Sequence, residues 1–149
     1  MEYGANVNLQ DENGADALTL ALVFGHYKVA KLLVNNGAKV DAEGMWGSVY
    51  NIWLASRAGL TEIVKQLLEK GKPVDIIDTN GETALMNASK EGQTEVVKLL
   101  LDKGAKIDLK NFDGNTALIM ASISGSHEVV ELLLKNNAGI NLTNKKGLT

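Results

Sequence analysis

Short apolar runs alternate with glycine-punctuated polar stretches along the chain, and both recur at a fixed interval. Val96, Val97, Leu100 and Leu101 fall at the spacing of one face of an α-helix. The same pattern returns 33 residues later at Val129, Val130, Leu133 and Leu134. A shorter run precedes each, with Leu85 and Ala88 in one copy and Leu118 and Ala121 in the next. Gly81, Gly92 and Gly104 separate the runs and are matched by Gly114, Gly125 and, in the third place, Asn137. Asp78-Thr79-Asn80-Gly81 reads as a turn, because Asp and Asn supply side-chain hydrogen bonds and Gly supplies positive φ. Thr83 is placed to cap the helix that follows, and Gly92 to stop it. Thr94 is placed to cap a second helix that ends at Gly104, and Ile107 falls in an extended stretch. Each unit is therefore predicted to be turn, helix, turn, helix and extended loop.

Four full units align, at 11–43, 44–77, 78–110 and 111–143, with partial units at 1–10 and 144–149. A period of this length marks a stack of units, none of which can bury its apolar face alone. The chain is read as a single domain of that kind. The predicted interior comprises Leu18, Ala21, Val29, Leu32 and Leu33 in the first unit, and Ile52, Ala55, Ile63, Val64, Leu67 and Leu68 in the second. Leu85, Ala88, Val96, Val97, Leu100 and Leu101 serve the third, and Leu118, Ala121, Val129, Val130, Leu133 and Leu134 the fourth. Alanine at 21, 55, 88 and 121 is small where helices of adjacent units are expected to approach closely.

Each unit closes on a recurring phrase: Gly4-Ala5-Asn6-Val7-Asn8, Gly37-Ala38-Lys39-Val40-Asp41, Gly71-Lys72-Pro73-Val74-Asp75, Gly104-Ala105-Lys106-Ile107-Asp108 and Asn137-Ala138-Gly139-Ile140-Asn141. With the glycine turns and the Val-Val-x-x-Leu-Leu helices, this phrase resembles the ankyrin repeat, over essentially the whole chain. The resemblance implies an all-α solenoid of stacked antiparallel helix pairs with projecting β-turn fingers. It also implies a non-catalytic scaffold that binds another protein through the finger tips and the concave helix surface. The family's Thr-Pro-Leu-His segment is altered. Ala17, Ala84 and Ala117 replace its proline, and alanine is a good helix former. Thr19, Trp53, Met86 and Ile119 replace its histidine, which in the family ties neighbouring turns together. Fingers coupled less rigidly, or through the apolar Met86 and Ile119, are expected.

The second unit is irregular. Twelve residues separate Gly47 from Gly59, against eleven between the equivalent glycines elsewhere. One extra residue within Ser48–Leu54 is expected to re-aim the finger or lengthen its loop. It is read either as a tolerated surface insertion or as a binding feature, since Met45, Trp46, Tyr50 and Trp53 cluster there in a chain with 5% aromatic residues. Both ends of the sequence fall inside a unit, as in an excerpt of a longer array.

Composition narrows function further. The net charge of −3 argues against nucleic acid as a partner. No cysteine is available for disulfide or thiolate chemistry. No apolar run is long enough to insert in a membrane, and no signal peptide is visible, so a cytoplasmic location is expected. His26 and His127 lie three units apart and cannot share a metal. Phosphate-loop, zinc-protease and serine-hydrolase motifs are missing, so neither enzymatic activity nor a cofactor is expected. Glu62, Glu95 and Glu128 recur at one position of the second helix, as solvated or helix-dipole carboxylates would.

The expected partner contacts lie on finger tips and the exposed end of each first helix. They are Phe24, Met45, Trp46, Arg57, Asn80, Glu82, Lys90, Phe112, Asp113 and Asn115, with the aromatics as anchors. A regulatory or targeting segment of a larger enzyme, channel or secreted effector is the alternative role. A monomer is expected, with end-to-end stacking open through the apolar ends.

Overall fold

A computed structural model describes residues 6–40 and 48–149, with only the backbone at 48–51. Eight helices follow one another: α1 (Ala17–Val23), α2 (Tyr27–Asn35), α3 (Ser48–Arg57), α4 (Thr61–Glu69), α5 (Ala84–Lys90), α6 (Thr94–Asp102), α7 (Ala117–Ser124) and α8 (His127–Lys135). Among the described residues, extended backbone pairs only at isolated antiparallel bridges, Gln10 with Asp16 and Ile77 with Thr83. The protein is an all-α solenoid.

Each helix pair is an antiparallel hairpin, and the pairs stack side by side. The odd-numbered helices form an inner row and the even-numbered helices an outer row, with the inner contacts α3–α5 and α5–α7 the more extensive. Side-chain size accounts for this. Ala55, Ala88 and Ala121 are fully buried on the inner row, while Ile63, Val64, Leu67, Val96, Val97 and Leu100 fill the space between outer helices. Smaller residues let the inner helices approach more closely. The α1–α3 contact is the thinnest of the inner row.

The first helices begin where a polar side chain replaces the missing helical acceptor. Asp16 Oδ1 accepts from the Thr19 N–H at 2.7 Å, Thr83 Oγ1 from Met86 at 3.2 Å and Thr116 Oγ1 from Ile119 at 3.3 Å. Thr94 differs from expectation. It is the first residue of α6, its hydroxyl donates to the Gly92 carbonyl at 3.5 Å, and the cap position is Gln93, whose side chain makes no capping bond and donates to the Arg57 carbonyl at 3.1 Å. The segment Ser48–Leu54, where the extra residue of the second unit is expected, lies in α3, ten residues long against seven in α5 and eight in α7, and the turn before it lies outside the described residues.

Three predicted interior residues lie outside. Val29 is 49% exposed and Leu32 62%, whereas Ile63, at the position of Val29 one unit on, is 3% exposed and Val96 and Val129 are fully buried. Leu134 is also exposed. These positions are covered in the inner units by an adjoining unit, and at the two ends no described helix adjoins them.

Candidate interaction surface

Four fingers are described, and one polar residue builds each. Asp78 Oδ1 accepts from the N–H groups of Asn80 and Glu82, both at 2.8 Å. Asp11, Asn111 and Asn144 do the same at the same spacing. The Gly81 N–H donates to the Asp78 carbonyl at 3.0 Å and the Asp78 N–H to the Glu82 carbonyl at 3.0 Å, closing the turn.

Neighbouring fingers are joined through their backbones. The Phe112 N–H donates to the Asn80 carbonyl at 3.1 Å, and the Lys145 N–H to the Asp113 carbonyl at 3.0 Å. Glycine is needed at both contacts. Gly81 has φ +74°, and a β-carbon there would lie 2.7 Å from the Phe112 ring. At Gly114, with φ +81°, the β-carbon would lie 3.0 Å from the Lys145 nitrogen. Side chains reinforce the ladder: Asn144 donates to Asn115 Oδ1 at 2.7 Å and Asn111 to Glu82 Oε1 at 3.4 Å. None of these bonds uses the side chains at Trp53, Met86 or Ile119, which stand in the histidine's place. Trp53, standing in the histidine's place, is itself buried and its indole N–H donates to the Ile76 carbonyl at 3.0 Å. Met86 and Ile119 are buried core residues, and the Met86 sulfur accepts from the Thr83 N–H at 3.4 Å.

A second set of bonds joins units at their closing phrases. Asp75 Oδ1 accepts from the Lys106 N–H at 3.0 Å, Asp108 Oδ1 from Gly139 at 2.9 Å and Asn8 Oδ1 from Lys39 at 2.8 Å. The recurrence of Asp or Asn at this place was visible in the sequence, but periodicity alone does not tell a clip between units from a solvated side chain.

The predicted contact residues divide by environment. Phe24 is 69% exposed at the end of α1 and Phe112 59% exposed at a finger tip, one face of its ring resting on Gly81. Asn80 and Asp113 are exposed tip residues that lend their carbonyls to the ladder. Glu82 and Asn115 are half-buried between fingers. Arg57 pairs with Glu91 of the next hairpin at 3.8 Å, both ends well exposed, and Lys90 is exposed beside them. Met45 and Trp46 lie outside the described residues, as does the side chain of Tyr50. Trp53 does not join an exposed aromatic cluster.

Shallow grooves flank this strip. One of about 190 Å³ is lined by Asp11, Ala15, Thr19, Leu20, Val23 and Phe24. Another of about 150 Å³ is lined by Asp113, Asn115, Ile123, Asn144, Lys145, Lys146 and Leu148. Asp11 is the one ionisable residue lining the first, and Asp113, Lys145 and Lys146 are those lining the second. Among the described residues, no three His, Asp or Glu side chains group to hold a metal ion, and no helix is long and apolar enough to cross a membrane.

The fold is that of a helical-hairpin repeat protein with an exposed wall of fingers and helix ends. Residues 52–145 match the family profile described as ankyrin repeats in three copies, and residues 13–44 match that of a single ankyrin repeat. The chain belongs to the ankyrin-repeat family, whose general role is to scaffold contacts between proteins and which is generally non-catalytic. It is 35% identical over 85 residues to the glycerophosphocholine phosphodiesterase gde1 of Schizosaccharomyces pombe, covering 57% of this chain and 8% of that protein. It is 33% identical over 88 residues to the potassium channel AKT2/3 of Arabidopsis thaliana, covering 59% of this chain and 11% of the channel. A human protein, ankyrin repeat domain-containing protein 63, is 35% identical over 91 residues, 59% of this chain and 24% of its own length. The chain thus matches only a small part of each of these relatives.

Proposed function

We propose that the protein binds a partner protein along its concave wall, with Phe24, Arg57, Lys90 and the tips at Met45, Trp46, Asn80, Glu82, Phe112, Asp113 and Asn115 as contacts. The observation that carries this reading is the exposure of Phe112 on a finger ladder held by backbone hydrogen bonds, with Phe24 exposed at the end of α1. Exposed aromatics on rigid supports lose little entropy on binding and make good anchors. Arg57, Glu91 and Lys90 set mixed charge between them, which favours a polypeptide of mixed character over a polyanion. A second reading makes this array a regulatory or targeting part of a larger enzyme or channel; similarity to segments of a phosphodiesterase and a potassium channel favours it.

The test is affinity capture of a partner from the source cell, followed by titration with a Trp46→Ala, Phe112→Ala double variant. Binding should weaken while the melting temperature stays within a few degrees. Unchanged affinity would remove both residues from the interface.

A further inference from the structure

One position of the inner helices stays open in every described hairpin. Val23 closes α1, Arg57 closes α3, Lys90 closes α5, and Ile123 holds the equivalent place in α7; all four are exposed. Arg57 and Lys90 have a described hairpin on either side, so their exposure owes nothing to the ends of the stack. The residues one step on, Phe24 and Glu91, are exposed as well. This row is the helix side of the wall, and the fingers are the other side: Ile123 borders the same groove as Asp113 and Asn115. Along its length the row is apolar at Val23 and Phe24, basic at Arg57 and Lys90, and apolar again at Ile123.

The middle of the row is positive. Arg57 Nε lies 3.8 Å from Glu91 Oε1, with both side chains well exposed. Such a pair is worth little and opens readily to a competing carboxylate. Lys90 has no ion-pair partner among the described residues. The acids of the facing fingers are placed otherwise: Glu82 is half-buried and accepts from Asn111 Nδ2 at 3.4 Å, and Asp113 is exposed at a tip. A ligand carboxylate is therefore drawn to the helix side of the wall. Spacing sets the form of the ligand. Packed helices lie about 8–10 Å apart, so the row repeats at about that interval. A polyproline II segment turns once every three residues and advances about 9 Å per turn, which brings every third side chain to the next hairpin. A β-strand returns a side chain to one face about every 6.6 Å and falls out of step.

We propose that the wall takes an acidic peptide segment in polyproline II form. One large apolar side chain rests against Val23 and Phe24. Asp or Glu about three and six residues on faces Arg57 and Lys90, and a second apolar side chain about nine residues on reaches Ile123. The proposal rests on the wall being the binding surface and adds the chemistry of its ligand. Charge complementarity selects the occupant, since a basic segment in this register would set like charges against Arg57 and Lys90. A segment already in polyproline II form also loses little backbone freedom on binding.

Selection from a displayed library of random peptides longer than this span, with the full chain as bait, tests it. Enriched peptides should carry Asp or Glu at three-residue spacing between two large apolar residues. By fluorescence anisotropy, Lys90→Glu should weaken binding of such a peptide about tenfold, and Phe24→Ser and Ile123→Ser should each weaken it too. These side chains are exposed, so the variants should melt like the wild type. A second measurement needs no variant: rising salt should weaken the acidic peptide and leave a version with asparagine in place of aspartate unmoved. Enriched peptides that lack acids, or that keep them when selected on the Lys90→Glu chain, would overturn the proposal. If Phe112→Ala still weakened those peptides, the wall would remain the binding surface. Peptides indifferent to Phe24→Ser, Ile123→Ser and Phe112→Ala alike would overturn both readings. A library that yields no peptide would overturn the linear ligand and leave the wall to be judged by partner capture.

Discussion

Single residues carry more of this structure than their size suggests. Ala88 is fully buried between inner helices, so Ala88→Leu should overpack the contact and cost about 1–3 kcal/mol in a thermal or urea melt. Trp53 occupies the place of a turn-tying histidine and donates to Ile76. Trp53→Phe keeps the ring but leaves that carbonyl unpaired, and should cost about 1–3 kcal/mol in the same assay. Gly81→Ala meets two obstacles together, a positive φ and the Phe112 ring. It should lose more stability than a Gly→Ala change at Gly104, which also has positive φ but nothing within 4 Å. At this scale the sequence was legible wherever a side chain acts on its own backbone, as Thr83 does. It was not legible where the partner lies a unit away. Nothing in Ile52-Trp53-Leu54 says that the indole will turn inward to a loop 23 residues on.

Helices and fingers obey the local rules of their sequence with one exception. Thr94 lies two residues after Gly92 and just before an apolar run, as a cap would, but α6 starts one residue earlier than that reading needs. Thr94→Ala should therefore change stability by less than Thr116→Ala, which removes an observed cap and should cost about 1 kcal/mol. Circular dichroism melts of the two variants make the comparison. Counting glycines places the one-residue insertion between Gly47 and Ala55 but does not say that this stretch is helical from Ser48 onward, as it is in α3. The fingers were read as turns from Asp, Asn and Gly alone. The bonds between the last three fingers run through backbone groups, which the sequence does not announce.

Across the whole molecule, the hairpins supply one another with the apolar cover that none has singly. Val29 and Leu32 make the point. Their spacing marks them as interior, and they lie outside only because no described hairpin precedes them. Periodicity reports what a position is suited to bury, while burial depends on whether a neighbour is present. Phe24 and Phe112, by contrast, stay exposed though a described hairpin adjoins each, and they belong to the proposed contact surface. Burying one large apolar side chain yields roughly 1.5–3 kcal/mol, and ordering one residue's backbone costs about 1–2 kcal/mol. A lone 33-residue hairpin unit therefore lacks the contacts to stay folded, and the interfaces between units must supply the surplus. The most direct measurement is the far-ultraviolet circular dichroism of an excised peptide, residues 78–110, beside that of the full chain. The peptide should show little helix and no cooperative melt, while the full chain unfolds in a sigmoidal transition. A peptide that folds and melts cooperatively by itself would contradict the account.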